Sequence, residues 1–158
     1  KMYAQTCVLI SSCYSYDPKA SDESKLRQLE GAEDVVDPDY GRALEYLQKG
    51  LDVYNELYGT DCKESAKILK EMAQLYLTIN DYKNAAACMK GVLAAVIRRH
   101  GSESLEAAIT TKRIGEMYMI DNQVQAARLM LKRSLEIFVN LGAGGRHNAM
   151  VQSIKVTL

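Results

Sequence analysis

The chain has few helix breakers, no excess of either charge and no long apolar run. Of its 158 residues only two are proline, Pro18 and Pro38, and both fall in one stretch. Basic and acidic residues number 20 each, so the formal net charge is zero, which excludes the whole-domain basic field typical of nucleic-acid-binding domains. No stretch is apolar for the 18 or more residues that a membrane-spanning helix needs. The abundance of Ala, Leu, Lys, Glu, Gln and Met instead predicts an α-helical chain.

Residue types that carry catalysis or bind metals are scarce and scattered. The four cysteines, at positions 7, 13, 62 and 88, include no Cys-x-x-Cys pair, and we expect them to be reduced thiols. The two histidines, His100 and His147, each lie close to a glycine and belong to no recognisable catalytic or metal-binding motif. The glycine-rich segment Gly142–Gly145 lacks the Lys-Ser/Thr of a phosphate-binding loop. We therefore predict no catalytic residues, no metal site and no cofactor, and expect that the protein is not an enzyme.

Apolar residues recur at an interval of 42 residues, beginning with Ala43, Ala85 and Ala127. The same interval relates Leu47, Met89 and Leu131; Leu51, Leu93 and Leu135; Tyr54, Val96 and Phe138; and Tyr76 and Tyr118. A fixed period of this size indicates stacked helical hairpins, because one hairpin buries its apolar face only against its neighbours.

Short polar or glycine-containing segments separate the predicted helices. Asn80–Asp81 and Asp121–Asn122 are expected to form the turns inside two hairpins. Gly59 and Gly101 are expected to end the helices that precede the next repeat. The predicted caps of the following helices are Thr60 or Asp61 in one repeat and Ser102 in the next.

These signals predict a single domain of three hairpins and a partial fourth. The first hairpin comprises residues 1–16 and 39–58, and an inserted acidic loop, 17–38, lies between its helices. The second hairpin spans 62–100, the third spans 103–141, and a capping helix spans 147–158. The loop is expected to be mobile. The alternative is an ordered element that folds back on the chain and acts as an internal blocker of binding. We interpret the chain as a piece of a longer protein.

Each repeat carries a small residue, then a tyrosine, then an alanine at matching positions. The three sets are Ser11, Tyr14 and Ala43; Ala73, Tyr76 and Ala85; and Gly115, Tyr118 and Ala127. This pattern resembles the tetratricopeptide repeat, and the interval of 42 resembles the long-repeat variety found in kinesin light chains. The resemblance implies an all-α fold: a right-handed superhelix (α-solenoid) of three helical hairpins plus a partial fourth, capping helix. Small residues at the matching positions would let paired helices approach closely.

The resemblance also implies an inner groove lined by the first helix of each hairpin. By alignment with the repeat, the candidate peptide-binding residues are Lys67, Lys70, Gln74, Leu77, Lys112, Arg113, Glu116 and Met119. The four basic residues are similar to the carboxylate clamp of some tetratricopeptide domains and could hold a carboxylate or an acidic peptide. The alternative is a solvated helix face on which Glu71 and Glu116 offset the basic charges.

The function implied by the resemblance is that of a non-catalytic interaction module. It would hold a peptide segment or a neighbouring subunit, with no nucleic-acid or membrane partner, as part of a larger cytoplasmic chain or complex. One alternative is a structural spacer in a multi-subunit assembly. Another is the accessory C-terminal helical domain of a SET and MYND domain methyltransferase.

Overall fold

A computed structural model describes residues 6–11, 39–60, 62–142 and 148–157. In these residues all regular structure is α-helical and no strand occurs, which confirms the predicted all-α class. The predicted acidic loop 17–38, the first-repeat Tyr14 and the candidate cap Asp61 lie outside the described residues. None of the helices in the described ranges is long and apolar enough to cross a membrane.

The chain divides into two compact units, Lys1–Val53 and Tyr54–Leu158. In the first unit, residues 6–11 form helix α1, and helix α2, Tyr40–Tyr58, begins. Asp39 caps α2, because its Oδ1 accepts a hydrogen bond from the backbone N–H of Arg42 at 3.0 Å. Ala43 and Leu47, the first members of two of the 42-residue ladders, are buried at 0% and 1% exposure.

The described residues of the second unit form five further helices in chain order. They are α3, Lys63–Thr78; α4, Tyr82–His100; α5, Leu105–Ile120; α6, Val124–Asn140; and α7, Asn148–Thr157. Each packs against the next along the chain, from α3 on α4 to α6 on α7. Neighbour-to-neighbour packing of this kind is the arrangement expected of stacked hairpins.

The ladder positions form the apolar interior of the second unit. Ala85 and Ala127 are fully buried in one cluster that joins α3, α4, α5 and α6. Leu131 and Phe138 belong to a second cluster, to which α7 contributes Val151 and Ile154. The repeating residues are therefore buried for the reason that the period predicts: each helix covers the apolar face of its neighbour. The role of α7 as a cap stays a prediction.

A glycine allows α5 to pack closely against α6. A Cβ atom placed on Gly115 would lie only 2.8 Å from Cγ of Leu131 and 3.3 Å from Cβ of Met130. Ala73, at the matching position of the previous repeat, is buried at 2% exposure. These two residues occupy the positions where the tetratricopeptide pattern places small side chains.

The turns inside the two hairpins lie where they are predicted, but two predicted caps are wrong. Asn80 and Asn122 adopt left-handed φ angles of 60° and 59°, which asparagine tolerates better than most residues. The cap of α3 is Cys62 and not Thr60 or Asp61; its Sγ accepts the N–H of Ser65.

The cap of α5 is Ser104 and not the predicted Ser102. Its Oγ accepts a hydrogen bond from the N–H of Ala107. The turn that follows Gly101 occupies two more residues before the helix begins, so Ser102 lies too early for its hydroxyl to reach the first turn.

Candidate functional site

A cleft of about 440 Å³ lies between α3 and α5, with α4 beneath it. Its lining residues are Lys70, Ala73, Gln74 and Leu77 from α3; Met89 from α4; and Arg113, Glu116, Met117 and Ile120 from α5. This volume falls within the range of clefts that bind small molecules, so it can accept one or two side chains of a peptide.

Each wall of the cleft is one face of a helix, because its lining residues are spaced i, i+3, i+4 and i+7. The two faces are not equivalent in the repeat, however. The α3 residues Lys70 and Leu77 correspond to Lys112 and Met119, 42 residues later, yet α5 contributes Arg113 and Ile120 instead. The α5 wall is displaced by one residue, or about 100° around the helix. Two helices that face each other across a cleft present opposite flanks.

Five of the eight predicted groove residues therefore line the cleft, namely Lys70, Gln74, Leu77, Arg113 and Glu116. Lys67, Lys112 and Met119 do not line it. Met119 is partly buried and packs against both apolar clusters of the second unit. Lys67 lies close to Glu71: burial raises the pKa of the Glu71 carboxyl, and the positive charge of Lys67 opposes that effect more weakly.

Lys112 is already engaged by a charge on its own helix. Its Nζ forms an ion pair and a hydrogen bond with Oε1 of Glu116, one turn further along α5. The Lys112 side chain is only 18% exposed, whereas that of Glu116 is 45% exposed. The ion pair thus removes Lys112 as a cation for a ligand and leaves Glu116 on the wall of the cleft.

Lys70 and Arg113 differ from Lys112 in being exposed and unengaged. They stand on opposite walls, and neither has a hydrogen-bond or ion-pair partner among the residues that the structure describes. A lysine ammonium acts as a point charge, and an arginine guanidinium can bind a carboxylate through two parallel hydrogen bonds. These two residues are therefore the basic groups available to an anionic ligand.

Apolar residues line the rest of the cleft, and four of them were not among the predicted groove residues. Met89, Met117 and Ala73 are buried at 4%, 7% and 2% exposure, while Ile120 is 59% exposed. Met117 and Ile120 follow Arg113 at i+4 and i+7, so the helical face of Arg113 was the signal that could have found them. Met89 lies on a second helix of a hairpin, which an assignment based on first helices alone overlooks.

Neither a metal-binding cluster nor an unpaired buried polar side-chain atom occurs in the part of the chain that the structure describes. Within it, no group of three or more His, Cys, Asp or Glu residues is placed to hold a metal ion. Its buried side-chain nitrogen and oxygen atoms all have hydrogen-bond partners.

No protein-family model matches the sequence, and no curated protein matches it. Solved structures resemble the chain at low sequence identity. The crystal structure of BtubC (BKLC) from P. vanneervenii has a TM-score of 0.64 and 18% identity, covering 97% of this chain and 52% of that one. The crystal structure of a variant of a Podosopora anserina putative kinesin light chain with nearly identical TPR-like repeats has a TM-score of 0.56 and 15% identity. It covers 88% of this chain and 57% of that one.

A second structure of the Podosopora anserina protein has a TM-score of 0.53 at 15% identity, covering 85% of this chain and 55% of that one. The chain therefore spans about half the length of the structures it matches. The similarities confirm the predicted fold: the chain is an all-helical array of tetratricopeptide-like repeats.

Proposed function

We propose that the chain is a non-catalytic interaction module that holds a peptide segment in the cleft between α3 and α5. The observation that carries this proposal is the pairing of two unengaged cations, Lys70 and Arg113, with an apolar floor that includes Met89 and Met117. The peptide belongs to another protein or to a neighbouring subunit. We also propose that the module acts in the cytoplasm, as part of a larger chain or complex.

The chemistry of the cleft suits an acidic residue that stands beside an aliphatic one. A carboxylate of the peptide would bind Arg113 or Lys70, and the aliphatic side chain would pack on the methionines. Thioether side chains are flexible and polarisable, so they adapt to apolar groups of different shapes. A charge pair in an exposed setting contributes only about 0.2–1 kcal/mol, so the apolar contact must supply a substantial share of the affinity.

Peptide titrations with charge-reversal variants test this proposal. The probe is a fluorescein-labelled nonapeptide with a central Glu–Leu pair in a Ser/Gly background, measured by fluorescence anisotropy. Lys70→Glu and Arg113→Glu should each weaken binding by about two- to thirtyfold, because each replaces an attraction of about 0.2–1 kcal/mol with a repulsion of similar size. The matched control is Lys63→Glu, the same charge reversal at an exposed position of α3 outside the cleft.

Circular dichroism must show that the variants keep their helicity. Equal weakening by Lys63→Glu would mean that only overall charge matters, which contradicts a site in the cleft. Failure of the wild-type chain to bind the probe, with stability that depends on neighbouring chains, would favour the structural-spacer alternative. No feature of the described residues favours the accessory methyltransferase domain.

A further inference from the structure

The cleft carries an acidic group as well as two basic ones. We propose that Glu116 is a specificity-determining residue that makes the cleft prefer a peptide with a basic residue near its acidic residue over a polyacidic peptide. Lys112 is a positioning residue that holds Glu116 in place. This inference rests on the proposed peptide-binding function and names the peptide class that the same cleft selects.

The position of Glu116 on the α5 wall supports this role. Glu116 follows Arg113 by three residues, so the two side chains share one helical face and both line the cleft. Gln74, an exposed residue on the opposite wall, adds an amide with both a donor and an acceptor. The cleft is therefore bipolar, and a uniformly negative ligand would match only part of it.

The ion pair with Lys112 holds the Glu116 side chain in place but leaves one of its carboxylate oxygens without a hydrogen bond from the described residues. Lys112 contacts only Oε1, and Oε2 has no hydrogen-bond partner among the described residues. An ionised carboxylate can accept several hydrogen bonds, so Oε2 keeps the capacity to accept one from a lysine or arginine of the peptide. Because Lys112 is largely buried, it restricts the rotamers of Glu116 more than an exposed partner would.

Glu116 would select by repulsion as well as by attraction. A second or third carboxylate on the peptide lies within reach of Glu116 once the first is bound by Arg113 or Lys70, and like charges in one cleft oppose binding. Natural interfaces often discriminate between partners in this way, by placing a group that penalises the wrong ligand. The expected discrimination is about two- to fivefold, the range of one partly exposed charge interaction.

Two labelled peptides of equal length test the inference directly. Both contain the same Glu–Leu pair; one adds a lysine and a serine after the leucine, and the other adds two glutamates there. Wild-type protein should bind the lysine peptide about two- to fivefold more tightly. Glu116→Gln should abolish or invert this preference, and Lys112→Met should reduce binding of the lysine peptide. The control is Glu106→Gln, the same change of charge at an exposed position of α5 outside the cleft.

The outcomes separate this inference from the proposed function. If both peptides bind with equal dependence on Lys70 and Arg113 but Glu116→Gln leaves their ranking unchanged, the role of Glu116 is rejected and peptide binding stands. If Glu106→Gln changes the ranking as much as Glu116→Gln, long-range charge explains the preference and the inference is again rejected. If neither peptide binds, the proposed function and the inference both fail.

Discussion

The close contact between α5 and α6 predicts that adding a single methyl group at Gly115 will destabilise the protein. In Gly115→Ala the new Cβ would lie 2.8 Å and 2.9 Å from Cγ and Cδ2 of Leu131 and 3.3 Å from Cβ of Met130. Leu131 is buried at 1% exposure, so it cannot move out into solvent, and the Met130 Cβ is attached directly to the backbone. The added methyl must push the two helices apart.

The expected cost follows from two opposing effects. Overpacking a core costs about 1–3 kcal/mol, whereas replacing glycine with alanine inside a helix gains about 0.8–1 kcal/mol. The free energy of unfolding should therefore fall by about 1 kcal/mol in Gly115→Ala. Gly115→Val should cost more, because it adds two further carbon atoms and valine recovers less helix propensity.

Gly91 in α4 provides the matched control. A Cβ there would also meet a leucine, since Cδ1 of Leu69 lies 2.9 Å away, but the next nearest atom is at 3.8 Å. The close atom is the end of a flexible, partly buried side chain that can rotate aside. Gly91→Ala should therefore keep most of the helix-propensity gain and stabilise the protein by up to about 1 kcal/mol.

Urea unfolding followed by circular dichroism measures both variants. The prediction is a difference of sign: Gly115→Ala lowers the unfolding midpoint and Gly91→Ala leaves it unchanged or raises it. Thermal unfolding should show shifts of about 2–4 °C per kcal/mol for a chain of this size. If the two variants are stabilised equally, α5 and α6 can separate without penalty, and the argument that a small residue is required at Gly115 is refuted.

Two further predictions concern a helix cap and a thiol. Ser104→Ala should lower the free energy of unfolding by about 1 kcal/mol in urea titrations, because it removes the α5 cap. Ser102→Ala should have almost no effect, and equal losses in the two variants would contradict the assignment of the cap. Burial and, more weakly, the negative charge of Asp81 raise the pKa of the Cys88 thiol. Alkylation of Cys88 by iodoacetamide, followed by mass spectrometry, should therefore reach its plateau at a higher pH in native than in urea-unfolded protein, since the thiolate is the reactive form; coincident profiles would contradict it.

The repeat architecture could be predicted from the sequence because packing dictates the residues that carry it. Ala85 and Ala127 are both fully buried, so a larger side chain at either position would clash with the neighbouring helix. Asn80 and Asn122, also 42 residues apart, share a left-handed conformation because both turns have the same geometry. Caps are less predictable: Cys62 occupies the place of Ser104, and a thiol is not a usual capping group.

The binding site could be predicted only in part. The cleft lies between two repeats, and the residues on its two walls do not occupy equivalent positions of the repeat. Alignment equates Lys70 with Lys112, yet only Lys70 lines the cleft. The i,i+4 spacing of Lys112 and Glu116 indicates an ion pair, and the structure contains one. What the spacing cannot show is which of the two residues the neighbouring helix leaves accessible to a ligand.

The fold and the ligand have to be inferred from different residues, because core residues determine the fold and residues on the cleft walls determine what binds. The core positions tolerate only small or apolar side chains, so structures at 15–18% identity still share this fold. The polar wall positions are not buried in the core and obey no such restriction: Gln74 of one repeat is replaced by Glu116 in the next, which changes the charge without changing the helix. Similarity of fold therefore carries no information about the peptide. Substitutions of buried residues such as Met89 would change stability and binding together, so exchanges at exposed wall positions, such as Arg113→Glu, identify most directly what the cleft recognises.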